Sequence, residues 1–336
     1  YRDEKKDILY LVLDRTPFYP EKGGQIGDRG EIVEESPEFS AKFRVIDTQI
    51  DEKGVIYHEG RIESGVEDDF IGGGLKARVG KGFRKRVSIN HTATHLLHYA
   101  LREVVGKEVR QAGSFVGDTK LRFDFVCFKQ LTDEDIQKVE ELVQEKILED
   151  APVRVDEMTL DQAIESGAIA LFQEKYGERV RVISIGDYHK EVCGGTHIER
   201  TGQIVLFKIT GFSSIGQNLK RIEAVTYGEA IKYLDMYKKM VNDISEKFNT
   251  EDMKILSVIE KLIEDSEEKD RTIKKYEEIL SSDFSSKLTG QKKSFEVEEG
   301  RQAYFVSGLL NIGNGDFISR VADSVMKEIG EGVVFL

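Results

Sequence analysis

The sequence predicts a protein of the α+β class, and three observations support this inference. Short β-branched and aromatic segments, bounded by glycine or charged residues, alternate irregularly with longer segments whose apolar residues recur at helical spacing. Both kinds of segment carry an apolar face, as expected for elements that pack into layers. With 336 residues, the chain is long enough for two or three domains.

Residues 1–83 are predicted to form a small β-barrel, with a sandwich as the alternative. Four short strands, at about residues 8–13, 30–33, 43–46 and 55–58, are separated by glycine and charged residues. Between the first two strands, a glycine-rich stretch from Thr16 to Asp28 holds two prolines and three glycines in thirteen positions. Such a stretch either brings backbone N–H groups against a ligand or forms a turn that needs positive φ.

A basic segment follows at residues 76–86, with six positive charges and no acidic residue in an otherwise acidic chain. Such a run is usually a solvated face, but it leads directly into a helix that carries candidate metal ligands, which suggests contact with phosphate. The candidate residues for this contact are Lys81, Arg84, Lys85 and Arg86.

The next helix carries two histidines. Asn90 is the predicted N-cap, and apolar residues recur at helical spacing from Leu96 until Gly106 ends the run. His91 and His95 are therefore expected one turn apart on the same face of the helix.

A second pair, Cys193 and His197, has the same four-residue spacing, but the two glycines inside it predict a tight turn. Two histidines at helical spacing are more often ordinary surface or core residues than ligands. However, the chain contains six histidines and two cysteines, and four of these residues fall into the two pairs. Three imidazoles and one thiolate suit tetrahedral zinc, so the sequence predicts a zinc site.

The remaining elements predict three further regions. Residues 84–228 form an α+β domain with strands near 121–126, 153–158 and 180–185 and helices near 132–148 and 159–167. Residues 229–290 carry two apolar stripes, which predict a linker of two antiparallel, coiled-coil-like helices. Residues 291–336 show strand, helix and strand, the start of a parallel β-α-β unit in an incomplete α/β domain.

Composition narrows the class of protein. A formal net charge of −13 and 33% charged residues indicate a soluble, acidic protein, and no apolar run approaches the length of a membrane helix. The first residues do not resemble a signal peptide, and without an initiating Met we expect part of a longer chain. Two cysteines leave no disulfide framework, which predicts a reducing, cytoplasmic location.

Six stretches of this sequence resemble the editing region of alanyl-tRNA synthetases and the related free-standing AlaX-type deacylases. The likeness rests on the glycine-rich stretch, the histidine helix and four further motifs: Gln111-Ala112-Gly113-Ser114, Ala170-Leu171-Phe172-Gln173-Glu174-Lys175-Tyr176-Gly177, Cys193-Gly194-Gly195-Thr196-His197 and Arg221-Ile222-Glu223-Ala224-Val225-Thr226. The helical linker and the incomplete C-terminal unit also resemble that family's linker and C-Ala domain.

By this resemblance, the chain is expected to hydrolyse the ester that joins a wrong amino acid, serine or glycine, to tRNA(Ala). An alanine pocket excludes smaller glycine poorly, and an apolar site rejects an added hydroxyl only about 10²-fold. The reaction would be an aminoacyl-tRNA hydrolase activity within an alanine–tRNA ligase. Zinc is expected to organise the acceptor end of the tRNA while a positioned water attacks the ester.

The family's functional residues carry over onto six positions of this chain. The metal ligands correspond to His91, His95, Cys193 and His197. Thr16 corresponds to the candidate that senses the serine hydroxyl, with a threonine that caps a turn as the plainer interpretation. Gln111 corresponds to a polar group of the pocket, with an amide at a helix end as its plainer interpretation.

Two departures and several alternatives accompany the resemblance. The residue types at positions 20–22 are intermediate between those expected in full synthetases and those expected in free-standing deacylases. Tyr227 stands where glycine is expected. The alternatives are a free-standing AlaX-type deacylase acting in trans and a non-catalytic tRNA-binding module with structural zinc. A zinc peptidase is disfavoured because Thr92 stands where a zincin helix needs glutamate.

The resemblance also predicts the binding partners of the chain. The expected partner is tRNA(Ala) mischarged with serine or glycine, with no membrane contact and a homodimer through the C-terminal region. Nothing in the sequence resembles an ATP-binding class II core. The aminoacylation domain is therefore expected outside this chain.

Overall fold

The computed structural model describes residues 2–3, 8–35, 40–72, 74–170, 177–297, 300–309 and 315–336. These residues form a mixture of helices and sheets, which confirms the predicted α+β class. The chain divides into two compact units, residues 1–237 and 238–336. The finer division into four domains stays a prediction, and residues 171–176 of the predicted motif at 170–177 lie outside the described residues.

The first sheet of unit 1 is antiparallel and has six strands: β1 (Arg2–Asp3), β2 (Ile8–Val12), β3 (Gly30–Glu35), β4 (Ser40–Ile50), β5 (Ile56–Ser64) and β6 (Lys76–Val79). Its strand order is β1-β2-β5-β4-β3-β6. Because no described residues pair β1 with β6, the sheet is open, and the predicted small β-barrel over residues 1–83 is corrected to an open sheet. Its own small core includes Phe18, Ile32, Phe43 and Phe70.

A long helix, α1 (Lys81–Val104), packs against a four-stranded antiparallel sheet. This sheet has the order β12-β13-β8-β7 and consists of β7 (Arg110–Val116), β8 (Leu121–Val126), β12 (Phe207–Gly216) and β13 (Leu219–Thr226). The core between them includes Leu96 and Leu97 of the helix and Phe123 and Phe125 of the sheet.

The start of α1 differs from the sequence prediction. The N-cap is Gly80, so the helix includes most of the basic segment, and Asn90 lies inside it. Asn90 is buried, donates from its side-chain amide to Gly117 O at 2.9 Å and accepts from the Thr226 hydroxyl at 2.6 Å. Its polar side chain therefore joins α1 to the sheet rather than capping a helix.

A smaller sheet completes the described part of unit 1. It is formed by β9 (Val153–Thr159), β10 (Arg179–Ile185) and β11 (His189–Val192), in the order β11-β10-β9. The helices α2 (Asp133–Leu148) and α3 (Leu160–Glu165) are capped by Thr132 and Thr159, close to the helix starts predicted near residues 132 and 159. Strand β11 ends directly before Cys193, so this sheet positions the second ligand pair.

Helix α4 (Tyr227–Phe248) begins in unit 1, at a residue with a φ of +47°. This left-handed conformation suits glycine, which is the residue that the resemblance predicts in place of Tyr227. Unit 2 contains α5 (Ile255–Thr289), α6 (Gly315–Ile329), β14 (Lys293–Val297), β15 (Arg301–Ser307) and β16 (Gly332–Phe335). The pairing of β15 with β16 is parallel, which confirms the predicted β-α-β unit. None of the described helices is both long and apolar enough to cross a membrane.

Candidate metal centre

The two predicted ligand pairs come together in unit 1. His91 and His95 project from α1, and Cys193 and His197 belong to the turn after β11; the four ligand atoms all lie within 4.8 Å of one another. The sulfur of Cys193 lies 3.4 Å from Nε2 of His91 and 3.4 Å from Nε2 of His197. Zinc bonds of about 2.0–2.3 Å at tetrahedral angles would separate ligand atoms by roughly 3.3–3.8 Å. The observed sulfur–nitrogen distances fit this spacing.

The orientation of the three imidazoles also suits a metal. Each ring uses Nδ1 for a hydrogen bond to a neighbouring side chain and turns Nε2 toward the cluster: His91 to Gln25 Oε1 at 2.7 Å, His95 to Glu191 Oε2 at 2.8 Å, and His197 to Thr92 Oγ1 at 3.2 Å. Among the described residues, Nε2 of His95 is buried without a hydrogen-bond partner. A buried polar atom without a partner is costly, and a metal ion would use its lone pair.

The carboxylate of Glu191 organises the histidines next to the cluster. Its Oε2 accepts from Nδ1 of His95 at 2.8 Å, Nδ1 of His98 at 3.2 Å and Nε2 of His189 at 3.1 Å. Burial alone would raise the pKa of Glu191, but these imidazoles hold it well below its usual range. The carboxylate is therefore charged inside the protein.

The electrostatics of the cluster favour a thiolate at Cys193. Burial would raise the pKa of this thiol, but the surrounding imidazoles hold it well below its usual range. Burial also lowers the pKa of His197 to about 3, which keeps its ring neutral. For His95, burial is outweighed by the charges of Glu191 and Cys193, which raise the pKa to about 10. The negative charges that hold a proton on His95 would equally attract a metal cation in its place.

The turn that carries Cys193 and His197 is fixed by close contacts. Arg181 donates to Gly194 O at 2.8 Å and to Gly195 O at 3.2 Å. A Cβ added at Gly195 would lie only 2.1 Å from Cε1 of His91. Glycine is therefore required here by the approach of α1, which supports the predicted tight turn and gives its physical reason.

The glycine-rich stretch also reaches the cluster, through a residue that the sequence analysis did not single out. Gln25 is fully buried and touches His91, while Gly24 O accepts from Val116 N at 2.7 Å. Gly23 and Gly24 have φ of +63° and +88°, so the stretch contains the predicted positive-φ turn. A Cβ at Gly24 would lie 2.5 Å from Oγ of Ser114, which brings this stretch against the Gln111–Ser114 motif.

Of the two predicted pocket residues, Thr16 is the first residue of this stretch, and Gln111 lies on β7 beside it. The hydroxyl of Thr16 lies 2.7 Å from Nε2 of His58 and accepts from Phe18 N at 3.1 Å. Gln111 lies on strand β7, not at a helix end, and donates to Ser114 Oγ at 3.1 Å. In the described structure, neither side chain hydrogen-bonds to one of the four metal-ligand candidates.

The basic segment lines a cleft of about 1000 Å³ that also reaches His197. Lys81, Arg84 and Lys85 are among its lining residues. Arg84 forms an ion pair with the buried Asp28 and donates to Pro17 O at 2.7 Å, and Arg86 pairs with Asp118 at 3.1 Å. Two of the four predicted cations are thus held in ion pairs within the protein, while their neighbours give the cleft its positive charge.

Of the two residues Glu191 and Gln25, which contact the cluster, only Glu191 could have been found from a pattern in the sequence. Side chains at alternate positions of a strand share a face, so Glu191 follows from its position two residues before Cys193. Gln25 follows from no such periodicity, because 66 residues separate it from His91.

Comparison with known proteins gives two family matches and several close relatives. Residues 3–71 match the family described as "tRNA synthetases class II (A)", and residues 180–223 match "Threonyl and Alanyl tRNA synthetase second additional domain". The alanine–tRNA ligase of Acetivibrio thermocellus is 38% identical over 334 residues, which cover 99% of this chain and 37% of the relative. That of Halorhodospira halophila is 38% identical, covering 97% of this chain and 36% of the relative. The chain therefore spans little more than a third of the length of these relatives.

Proposed function

The chain belongs to the alanyl-tRNA synthetase family, and on this basis we propose that it hydrolyses serine or glycine from mischarged tRNA(Ala). The observation that carries the proposal is the cluster of His91, His95, Cys193 and His197, with its ligand atoms within 4.8 Å of one another. It lies in a unit that also contains the glycine-rich stretch and a positively charged cleft. Such a hydrolase corrects the errors that an alanine pocket cannot exclude.

Zinc is the proposed cofactor because the donor set fits it. His91, His95, Cys193 and His197 would hold the ion, and the buried, unpaired Nε2 of His95 supports this assignment. Bound zinc would supply a fixed positive charge that holds the surrounding groups in place. Four protein ligands close a tetrahedral coordination sphere, so we assign the attack on the ester to a positioned water.

Thr16 is the proposed sensor of the serine hydroxyl. Nδ1 of His58 donates to Leu11 O at 3.0 Å, so Nε2 of His58 accepts the hydroxyl proton of Thr16. One lone pair of Thr16 Oγ1 accepts from Phe18 N, which leaves the second lone pair to accept from a serine hydroxyl. Alanine and glycine offer no donor for it.

The positively charged cleft is the proposed binding surface for the acceptor end of the tRNA. Lys81 and Lys85 line it beside His197, where they can contact phosphate oxygens and hold the ester close to the cluster. Gln111, which is not among the residues that line this cleft, is proposed as a polar group near the amino-acid end of the substrate. The ion pair between Arg84 and Asp28 fixes α1 against the glycine-rich stretch.

The second candidate function is a tRNA-binding module without catalysis, which the closed set of four ligands favours. Single-turnover hydrolysis of seryl-, glycyl- and alanyl-tRNA(Ala) separates the two functions. We expect seryl-tRNA and glycyl-tRNA to be hydrolysed faster than alanyl-tRNA, and all three to bind. Binding without hydrolysis above the spontaneous rate would refute the hydrolase and support the binding module.

A further inference from the structure

We infer that Gln25 is a positioning residue that couples the glycine-rich stretch to the metal centre, so that metal binding and docking of the stretch strengthen each other. The inference rests on the zinc site of the proposed function but not on hydrolysis. It concerns a contact between segments that are 66 and 171 residues apart in sequence.

Gln25 determines which nitrogen of His91 faces the cluster. Its Oε1 accepts from the backbone N–H of Thr196 at 2.9 Å, and because a backbone N–H must meet an oxygen, the orientation of the amide is fixed. The same Oε1 lies 2.7 Å from Nδ1 of His91. Since a carbonyl oxygen only accepts, Nδ1 carries the proton and Nε2 presents its lone pair toward Cys193.

Gln25 also contacts the second ligand pair. Its Nε2 donates to Oγ1 of Thr196 at 3.1 Å, and Thr196 lies directly before His197. The hydroxyl of Ser88 on α1 donates to the same Oγ1 at 2.9 Å. One buried amide therefore bridges α1 and the turn, the two elements that supply all four ligands.

On its other side, the glycine-rich stretch is docked by backbone hydrogen bonds. Ile26 N donates to Val116 O at 3.1 Å, and Val116 N donates to Gly24 O at 2.7 Å. Asp28 N donates to Tyr19 O at 2.8 Å, which closes the stretch on itself. If this stretch moves away from β7, Gln25 leaves His91 and Thr196 with it.

Coupling between two equilibria is reciprocal. A partner that orients a metal-binding histidine typically changes metal affinity by about 10- to 100-fold. If docking of Gln25 strengthens metal binding by this factor, metal binding must strengthen docking of the stretch by the same factor. Removing the metal should therefore loosen residues that do not contact it.

The first measurement is zinc affinity by competition with a chromophoric chelator. Gln25→Leu should bind zinc about 10- to 100-fold more weakly than wild type. Gln25→Glu keeps an acceptor for His91 and Thr196 and should recover most of the affinity. The control is Gln137→Leu, because Gln137 lies on α2 and donates to Glu141, so its loss removes no contact of the glycine-rich stretch or of the cluster.

The second measurement is hydrogen exchange of the wild-type protein with and without a chelator, which does not depend on how any variant folds. Protection of the Ile26 and Val116 amides should fall by the same 10- to 100-fold when the metal is removed. Equal zinc affinity for Gln25→Leu and wild type would refute the coupling, and so would exchange rates of these amides that do not change when the metal is removed. Either result would leave the proposed metal site intact. A wild-type protein that takes up no zinc would overturn the metal site as well.

Discussion

Replacing Thr16 with valine separates its proposed role in specificity from its role in the structure. Valine keeps the shape and β-branching of threonine but removes the hydroxyl. The structure gives that hydroxyl two bonds, one to the buried His58 and one from Phe18 N. Burial lowers the pKa of His58 by more than the hydrogen bond to Leu11 O raises it. The ring is therefore neutral at neutral pH, and its Nε2 accepts the Thr16 proton.

Two effects of different size are expected from Thr16→Val. Leaving Nε2 of His58 without a donor should cost about 1–3 kcal/mol of the free energy of unfolding. In a unit of this size, each kcal/mol corresponds to a fall in Tm of about 2–4 °C. Loss of the proposed bond to the serine side chain is a net term of about 0.5–1.5 kcal/mol, which lowers the rate for seryl-tRNA about two- to tenfold. The rate for glycyl-tRNA should change little.

The assay measures deacylation of seryl-, alanyl- and glycyl-tRNA side by side, at a temperature where Tm measurements show each variant folded. Thr16→Ser is the matched control, because it keeps the hydroxyl and both of its hydrogen bonds. We expect Thr16→Val to narrow the ratio of seryl to alanyl cleavage and Thr16→Ser to preserve it. A lower Tm with an unchanged ratio would show that Thr16 only supports His58 and the turn.

Three further predictions concern the metal and the cleft. Elemental analysis should find about one zinc per chain in wild type and much less in Cys193→Ala. The control Cys127→Ala should keep its zinc, because the sulfur of Cys127 contacts Lys129 O instead of the cluster. Glu191→Gln should weaken zinc binding about 10- to 100-fold, whereas Asp124→Asn, at a carboxylate paired with Arg221, should not; equal affinities would refute the role of Glu191. Replacing Lys81 and Lys85 with alanine should make the slope of log tRNA affinity against log salt concentration less steep, by about 0.7–0.9 for each phosphate contact that is lost. The control Lys138→Ala, at a lysine paired with Glu134, should leave the slope unchanged.

The positions of several helices and strands, and the two pairs of candidate metal ligands, could be predicted where local spacing determines them. The capping box of Thr132 and Asp135 marks the start of α2, and the strand at Leu121–Val126 has the predicted bounds. The four-residue spacings of the two ligand pairs likewise predicted side chains that the structure brings within 4.8 Å. The capping box, the strand and the spacing within each pair depend on residues close in sequence, whereas the approach of the two pairs joins residues 102 positions apart.

The start of α1 and the closure of the first sheet could not be predicted in this way. Asn90 has the side chain of a helix cap, but its two hydrogen bonds go to Gly117 and Thr226, which only the folded sheet brings near. The strand pattern of the first residues is the same for an open sheet and a barrel. What differs is whether the edge strands β1 and β6 meet, and this depends on the path of the chain between them.

The groups that orient the candidate ligands also depend on contacts between distant segments. Gln25, Glu191 and Thr92 each contact one of the three imidazoles of the cluster, across 66, 96 and 105 residues of sequence. A zinc ion held by three neutral imidazoles and one thiolate would carry a formal charge of +1, which the buried carboxylate of Glu191 would balance. The candidate ligands can therefore be recognised from two short motifs, but residues of the glycine-rich stretch and β11 orient His91 and His95 and would balance the charge of a bound metal ion. Metal affinity should accordingly respond to substitutions in both segments, although Gln25 and Glu191 would not themselves touch the metal.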